Sequence, residues 1–127
     1  MKYIVVIALV SALVACSGGS SNESITAAQS ALNDLIKART MLSSVHSVDD
    51  AQAIEVDLAE VGKSYAEAMQ LMRTVDQTDQ ETAQTLAQLT PKIAVEYQAM
   101  LMQLNALQSR NSKAAQILLD ELKAFKY

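Results

Sequence analysis

The sequence predicts an all-α protein whose helices pack as an antiparallel bundle. Its 127 residues include only three glycines and one proline, and the helix-favouring residues alanine, leucine, glutamine and glutamate are abundant. After the first fifteen residues, apolar side chains recur at steps of three and four, the spacing of one helix face. Alternating β-branched runs, which would indicate strands, are missing from that part of the chain. The length predicts one domain.

The first fifteen residues differ from the rest and are predicted to be a targeting segment. Lys2 gives a positive start, and an apolar run over residues 4–14, interrupted only by Ser11, follows it. This run is too short to cross a bilayer as a helix, which takes about 20 residues. It matches the apolar region of a secretory signal.

The apolar run ends in Leu13-Val14-Ala15-Cys16. This tetrapeptide resembles the lipobox of bacterial lipoproteins, in which a leucine and two small or medium residues precede an obligatory cysteine. The resemblance covers residues 1–16. It implies that residues 1–15 are removed as a signal peptide, that the Cys16 sulfur carries a diacylglycerol, and that the new amino group is acylated, for example with palmitate. Several acyl chains, at about 0.8 kcal/mol per buried methylene, anchor a protein stably.

The residue after the cysteine bears on localisation. In enteric-type lipoproteins an aspartate at this position favours retention in the inner membrane, and here the residue is Ser17. The resemblance therefore implies an outer-membrane lipoprotein facing the periplasm, with the inner membrane and the cell surface as alternatives. The net charge of −4 argues against attraction to anionic headgroups and provides no basic face for nucleic acid. The membrane is then reached through the lipid on Cys16.

A polar, glycine-rich segment follows the cysteine and is predicted to be a flexible tether. Residues 16–24 form this lipidated linker, and residues 25–127 form the helical bundle domain. The first helix is predicted from about Ile25 to His46. Its apolar face consists of Ile25, Ala28, Leu32, Leu35, Leu42 and Val45.

Ser47-Val48-Asp49-Asp50 is typical of a capping box, in which the Ser47 hydroxyl accepts a bond from a backbone N–H and Asp50 reaches back. The second helix is therefore predicted to begin near Val48. Its apolar residues form a heptad seam, as in helices that cross at about 20°. They are Ile54, Leu58, Val61, Tyr65, Ala68 or Met69, Met72 and Val75.

Thr78-Asp79-Gln80-Glu81 has the same form and predicts the start of a third helix. Pro91 falls inside this helix. Because the apolar phase continues across it, we predict a kink, with a fresh helix start at Thr90-Pro91 as the alternative. The apolar face consists of Leu86, Leu89, Ile93, Tyr97 or Glu96, Met100, Leu104 and Leu107.

Asn111-Ser112 predicts a break before a short fourth helix. The residues predicted to point inward from it are Ala115, Leu118, Leu122 and Phe125. Three long helices and a short one, joined by tight polar turns, are typical of an antiparallel bundle. Two alternatives are a dimerising hairpin of the second and third helices, and a chain that packs loosely until a partner binds. Tyr65 and Tyr97 lie on the seams, and we expect their rings in the core with the hydroxyls at its edge.

Acidic residues dominate the second helix. The candidate partner-binding residues are Asp49, Asp50, Asp57, Glu60 and Glu67. Three of these, Asp57, Glu60 and Glu67, would share one helix face with Ser64. A solvated face explains the pattern without any function, and no glycine-punctuated loop is present to wrap calcium. The functional alternative is a docking strip for a basic partner.

Methionines and the single histidine are the candidate metal ligands, because thioethers select Cu(I). Met69 and Met72 lie on one helix face, Met100 lies on the third helix, and His46 lies at the end of the first. Core packing also explains the methionines, since this side chain fills irregular gaps. A capping or surface role explains His46. The main interpretation therefore includes no metal and no cofactor.

Catalytic signatures are lacking in the sequence. There is no Gly-x-Ser-x-Gly elbow and no phosphate-cradling loop, and a single cysteine excludes a disulfide framework. We therefore expect a non-enzymatic, lipid-anchored periplasmic module that binds another envelope protein, as an assembly factor, an inhibitor, or an immunity or exclusion protein. The alternative is a carrier of a small ligand or of copper that uses core methionines. Self-association is left open.

Overall fold

The computed structural model describes residues 20–74 and 80–126. Four helices fill these ranges: α1 (Ser20–Ser43), α2 (Val48–Thr74), α3 (Gln80–Arg110) and α4 (Ser112–Leu122). No strand occurs within them, so the predicted all-α fold of three long helices and a short one is confirmed. The signal peptide, Cys16, Val75 and the first half of the second predicted capping box, Thr78-Asp79, lie outside the described residues. None of the four helices has an apolar stretch of the kind that crosses a bilayer.

The helices pack with α1 and α4 at opposite corners. Each of these two packs against both α2 and α3, so α2 and α3 also lie diagonally across the bundle. The Arg110 side chain at the end of α3 reaches the end of α1, so α1 and α3 run parallel, and α2 and α4 run the opposite way. We call the end where α1 and α3 terminate the closed end. The end where α1 begins is the open end, because α4 is too short to reach it.

The residues predicted to face inward either form the core or pack against it. Those that are only partly buried are Ile25, Leu32, Ile54, Val61, Met72, Leu89, Tyr97 and Leu104. Fully or almost fully buried residues come from all four helices: Ala28, Leu35, Leu42, Leu58, Tyr65, Leu86, Ile93, Met100, Leu107, Ala115, Leu118 and Leu122. Each large apolar side chain buried in this way stabilises the fold by about 1.5–3 kcal/mol. On α1 the core also takes Ala27, Ala31 and Ala38. Since alanine is small, α1 can pack closely against two neighbours at once.

The limits of α1 differ from the prediction at both ends. It begins at Ser20 and so includes residues 20–24, which were predicted to be part of the flexible linker. The reason is that Ser24 is already buried in the bundle, while Glu23 suits the positive end of the helix dipole. The helix ends at Ser43, before the predicted His46, in a tightened turn in which the N–H of Val45 donates to the carbonyl of Leu42.

The predicted start of α2 at Val48 is confirmed. The N–H of Asp50 donates to the Ser47 hydroxyl oxygen over 3.1 Å, and the N–H of His46 donates to the Asp50 carboxylate over 3.0 Å. The bond from His46 is the main cause that holds the pKa of Asp50 below its ordinary value. The Ser47-to-Asp50 segment therefore serves to begin a helix.

Pro91 does not begin a new helix, because α3 is continuous from Gln80 to Arg110. Just before it, the Thr90 hydroxyl donates to the carbonyl of Leu86 over 2.8 Å. The predicted break at Asn111 is confirmed. Its side chain accepts a bond from the N–H of Ala114 over 3.1 Å and caps α4.

The chain turns back over the core after α4, and two tyrosines hold it there. The hydroxyl of Tyr65 donates to the carbonyl of Lys126 over 3.0 Å, and that of Tyr97 donates to the carbonyl of Phe125 over 3.1 Å. Phe125 is buried and stacks on Tyr65 at 5.2 Å between ring centroids. Gly62 makes room, since a Cβ there would lie 3.0 Å from both Ala124 and Phe125. The expected placement of both tyrosines is confirmed.

Candidate functional site: an acidic cleft between the first two helices

A cleft of about 550 Å³ lies between α1 and α2 at the open end. Its residues come in equal number from the two helices: Glu23, Thr26, Ala27 and Ser30 from α1, and Ser64, Glu67, Ala68 and Leu71 from α2. Glu23 and Glu67 are exposed, whereas Ala27 and Ala68 are buried beneath them. We call this feature the acidic cleft, because Glu23 and Glu67 line it and none of its described lining residues is basic.

Small side chains and helix geometry form the cleft. Ala27 of α1 and Ala68 of α2 are buried where the two helices face each other. Their methyl groups are too small to fill the space between the helices, and this space is the cleft. Leu71 lies one turn beyond Glu67 on the same face of α2 and is 39% exposed. The result is an apolar floor with a carboxylate on each helix.

A buried carboxylate lies behind Ser64. Asp34 on α1 is only 5% exposed and accepts a hydrogen bond from the Ser64 hydroxyl over 2.7 Å. Burial raises the pKa of Asp34, and the bond from Ser64 and the charge of Lys37 oppose this effect only in part. A desolvated carboxyl group therefore lies directly behind one lining residue of the acidic cleft.

The predicted docking strip is divided between two places. Asp49 and Asp50 lie at the closed end, where Asp50 is bound in the helix cap. Asp57 and Glu60 are exposed on α2, on the face that leads to Ser64 and the acidic cleft. Of the predicted set only Glu67 lines the cleft.

Sequence reasoning missed the contribution of α1 to the site. Glu23 lies within the predicted linker, and Asp34 was not selected, although its spacing from Ala31 and Ala38 places it on the buried face of α1. A charged residue at a three-and-four step among core alanines is a signal that could have identified it. Pairing Glu23 with Glu67 required the tertiary structure.

The candidate metal ligands do not come together. The bond between Asp34 and Ser64 fixes the alignment of α2, so Met69 and Met72 lie towards the open end. Met100 lies ten residues before Arg110 on α3, towards the closed end, and it is buried. His46 is exposed in the turn between α1 and α2. Within residues 20–74 and 80–126, no three histidine, cysteine or acidic residues are placed to hold a metal ion.

Comparison with known proteins gives no relative for this chain: no family model, curated protein or solved structure matches it. The functional argument therefore depends on the cleft and on the sequence motif at the N-terminus. These two features lie close together along the chain, because Glu23 follows Cys16 by seven residues.

Proposed function

We propose that this chain is a lipid-anchored, non-enzymatic protein of the bacterial envelope, which binds a basic segment of another envelope protein in the acidic cleft. The observation that carries the proposal is the pair of exposed carboxylates, Glu23 and Glu67, above an apolar floor. A lysine or arginine side chain fits such a surface in two ways. Its aliphatic stem covers Ala27, Ala68 and Leu71, while its cationic head binds a carboxylate.

The lipobox supports a location at a membrane surface. Only four peptide steps join Cys16 to Ser20, the first residue of α1, and four residues span at most about 14 Å. An acylated Cys16 would therefore hold the acidic cleft close to the lipid headgroups. We therefore propose that the partner segment lies at the membrane surface, on the periplasmic side of the outer membrane.

The polar groups of the cleft support binding rather than catalysis. The Ser64 hydroxyl donates its hydrogen to Asp34, and His46, the single histidine of the sequence, lies at the other end of the bundle. Ser64 is therefore paired with a buried carboxylate and not with a histidine, which is the base in the Ser–His arrangement of acyl transfer.

Affinity capture of the full-length protein from its own cells tests the proposal. Glu23→Gln with Glu67→Gln removes both rim charges, and Gln52→Lys with Gln116→Lys changes the net charge equally on exposed surfaces elsewhere. Losing charge-assisted bonds should reduce recovery of the partner about tenfold for the first variant. The second variant should retain it. Equal loss in both variants would indicate general electrostatics and contradict a role for the cleft.

The anchor is tested separately by Cys16→Ala, which removes the sulfur atom that would carry the diacylglycerol. We expect this variant to leave the membrane fraction, because no other part of the acidic chain is proposed to hold it there. A variant that stays bound to membranes after a high-salt wash would show that the lipobox prediction is wrong. The cleft experiment would keep its meaning in that case, since it depends on Glu23 and Glu67 alone.

A further inference from the structure

The outer surface of α3 carries a second apolar seam, separate from the one in the core. Val95 is 66% exposed and Met102 is 69% exposed, and Ala106 is exposed and Ala99 partly exposed on the same face. These four residues follow one another at steps of four, three and four, which is the spacing of a helix-pairing seam. We call Val95, Ala99, Met102 and Ala106 the outer seam. Isolated exposed apolar residues are ordinary, but a regular row of them is not.

Three of the four outer-seam residues, Ala99, Met102 and Ala106, lie in a stretch of α3 that has no charge. Residues 97–109 contain no acidic, basic or histidine residue. Glu96, just before them, lies 2.8 Å from the Nε of Arg39 on α1 in an ion pair, although the angle is not that of a hydrogen bond. Copies of a chain with a net charge of −4 repel one another over most of their surface. The uncharged residues of this stretch add nothing to that repulsion.

The order of large and small side chains in the outer seam is self-complementary. In an antiparallel pair of α3 helices centred between Met100 and Leu101, Val95 lies opposite Ala106 of the second copy, and Ala99 lies opposite Met102. Every large side chain then faces an alanine, which is how closely packed helices interdigitate. In the same register the two flanking amides, Gln98 and Gln103, also lie opposite each other.

The apolar surface continues from α3 onto α1. A second cleft, of about 310 Å³, lies between these helices, and Val95 is one of its lining residues. Its other apolar side chains come from Leu32 and Ile36 of α1 and Pro91 of α3, and its two charged lining residues are Lys92 and Glu96. Val95 belongs to both surfaces, so a second copy that covers the outer seam would also contact the edge of this cleft.

We propose that two copies of this chain pair through the outer seam, with their α3 helices antiparallel and the large and small residues matched as described. The inference is independent of the acidic cleft, which lies between α1 and α2. It leaves the acidic cleft of each copy uncovered, so that a dimer would present two of them.

Sedimentation equilibrium of the full-length protein in a density-matched non-ionic detergent tests the pairing. Val95→Glu places a charge in the outer seam, whereas Val56→Glu makes the same change on α2, where the valine is 69% exposed. A charge buried without a partner should weaken the dimer about tenfold or more, and the control should leave it unchanged. A monomeric wild-type chain, or equal effects of both variants, would overturn the proposal.

The proposed register has its own test, which does not depend on adding a charge. Ala106→Val alone should weaken the dimer because two valines then meet, and Val95→Ala alone should weaken it by leaving a gap. The double variant restores one large residue opposite one small residue and should recover most of the wild-type association. A double variant that is as weak as the two single changes combined would contradict the antiparallel register. Circular dichroism of each variant shows that the helices remain folded.

Discussion

The two ends of the bundle are built differently. At the closed end α4 completes the bundle and polar side chains satisfy the ends of the helices: the Arg110 guanidinium donates to the carbonyls of Leu42 and Val45, and Asn111 caps α4. At the open end, which α4 does not reach, the acidic cleft lies between α1 and α2. Behind this cleft Asp34 is desolvated, and near the start of α1 the Ser24 hydroxyl is buried with no hydrogen-bond partner among the described residues.

This difference indicates that the closed end contributes mainly to stability and the open end mainly to binding. Satisfied caps stabilise the closed end, and the stacked pair of Tyr65 and Phe125 stabilises the middle of the bundle, beyond the end of α4. Unsatisfied or desolvated polar groups cost stability, and they lie next to the surface that we propose for binding. The comparison predicts large effects on unfolding for changes at the closed end and at the C-terminal segment that packs on Tyr65. At the open end it predicts small effects on unfolding and large effects on recognition.

The largest expected effect is at the C-terminal segment. Phe125→Ala removes a ring that is buried against Tyr65, and loss of a buried phenylalanine costs about 3–5 kcal/mol. The free energy of unfolding, measured by denaturant and helical circular dichroism, should fall by that amount. Lys126→Ala, an exposed neighbour, is the control and should change it by less than about 0.5 kcal/mol. Similar values for the two variants would mean that this segment does not stabilise the bundle.

A smaller loss is expected for Arg110→Met. The guanidinium donates to two carbonyls at the end of α1, and methionine keeps much of the aliphatic length but none of the donors. We expect a loss of about 1–2 kcal/mol in the free energy of unfolding. Lys113→Met removes a nearby exposed charge without such bonds and serves as the matched comparison. If both changes cost the same, the bonds to α1 contribute little.

Two aspartates should show opposite pH dependence. The pKa of Asp34 is raised by burial above its ordinary value of 3.8, so the folded state binds the proton more tightly than the unfolded state does. Stability then falls as the pH rises from 3.8 through the raised pKa. The pKa of Asp50 is lowered, so its contribution is present above 3.8 and is lost as the pH falls through the lower value.

Unfolding curves between acid and neutral pH check these signs. At neutral pH, Asp34→Asn should be more stable than the wild-type chain and Asp50→Asn less stable. Both differences should shrink as the solution is made acidic, because the wild-type carboxyl groups become neutral too. A loss of stability in Asp34→Asn that is the same at every pH would show that desolvation of the carboxylate is not the controlling effect.

The smallest expected effect on stability is at the rim of the acidic cleft. Glu23→Gln with Glu67→Gln changes two exposed side chains and should alter the free energy of unfolding by less than about 0.5 kcal/mol. The same variant is the one expected to lose the partner. A large loss of stability would mean that these carboxylates serve the fold, and the comparison between the two ends would then fail.

Much of the fold could be predicted because local rules agree with the final packing. The spacing of Leu58 and Tyr65 on α2, or of Ile93 and Met100 on α3, identifies the buried faces directly. The capping box that begins at Ser47 marks the start of α2 for the same reason, since its hydrogen bonds join residues only three or four apart.

The parts that could not be predicted depend on contacts between distant residues. The early start of α1 follows from the burial of Ser24 in the bundle, and the linker composition alone does not indicate it. The acidic cleft joins Glu23 to Glu67, and the tyrosine contacts join α2 and α3 to residues near the C-terminus. Spacing along one helix cannot show which helix lies beside it.

Site-specific photo-crosslinking in intact cells tests the central claim most directly. A photoreactive residue at Thr26 lies in the acidic cleft, and one at Gln116 on α4 is an exposed control. We predict a covalent adduct between the Thr26 probe and another envelope protein, absent with the Gln116 probe and lost when Glu23 and Glu67 are changed to glutamine. No adduct from Thr26, or the same adduct from both positions, would contradict the proposal that the acidic cleft is where this protein binds its partner.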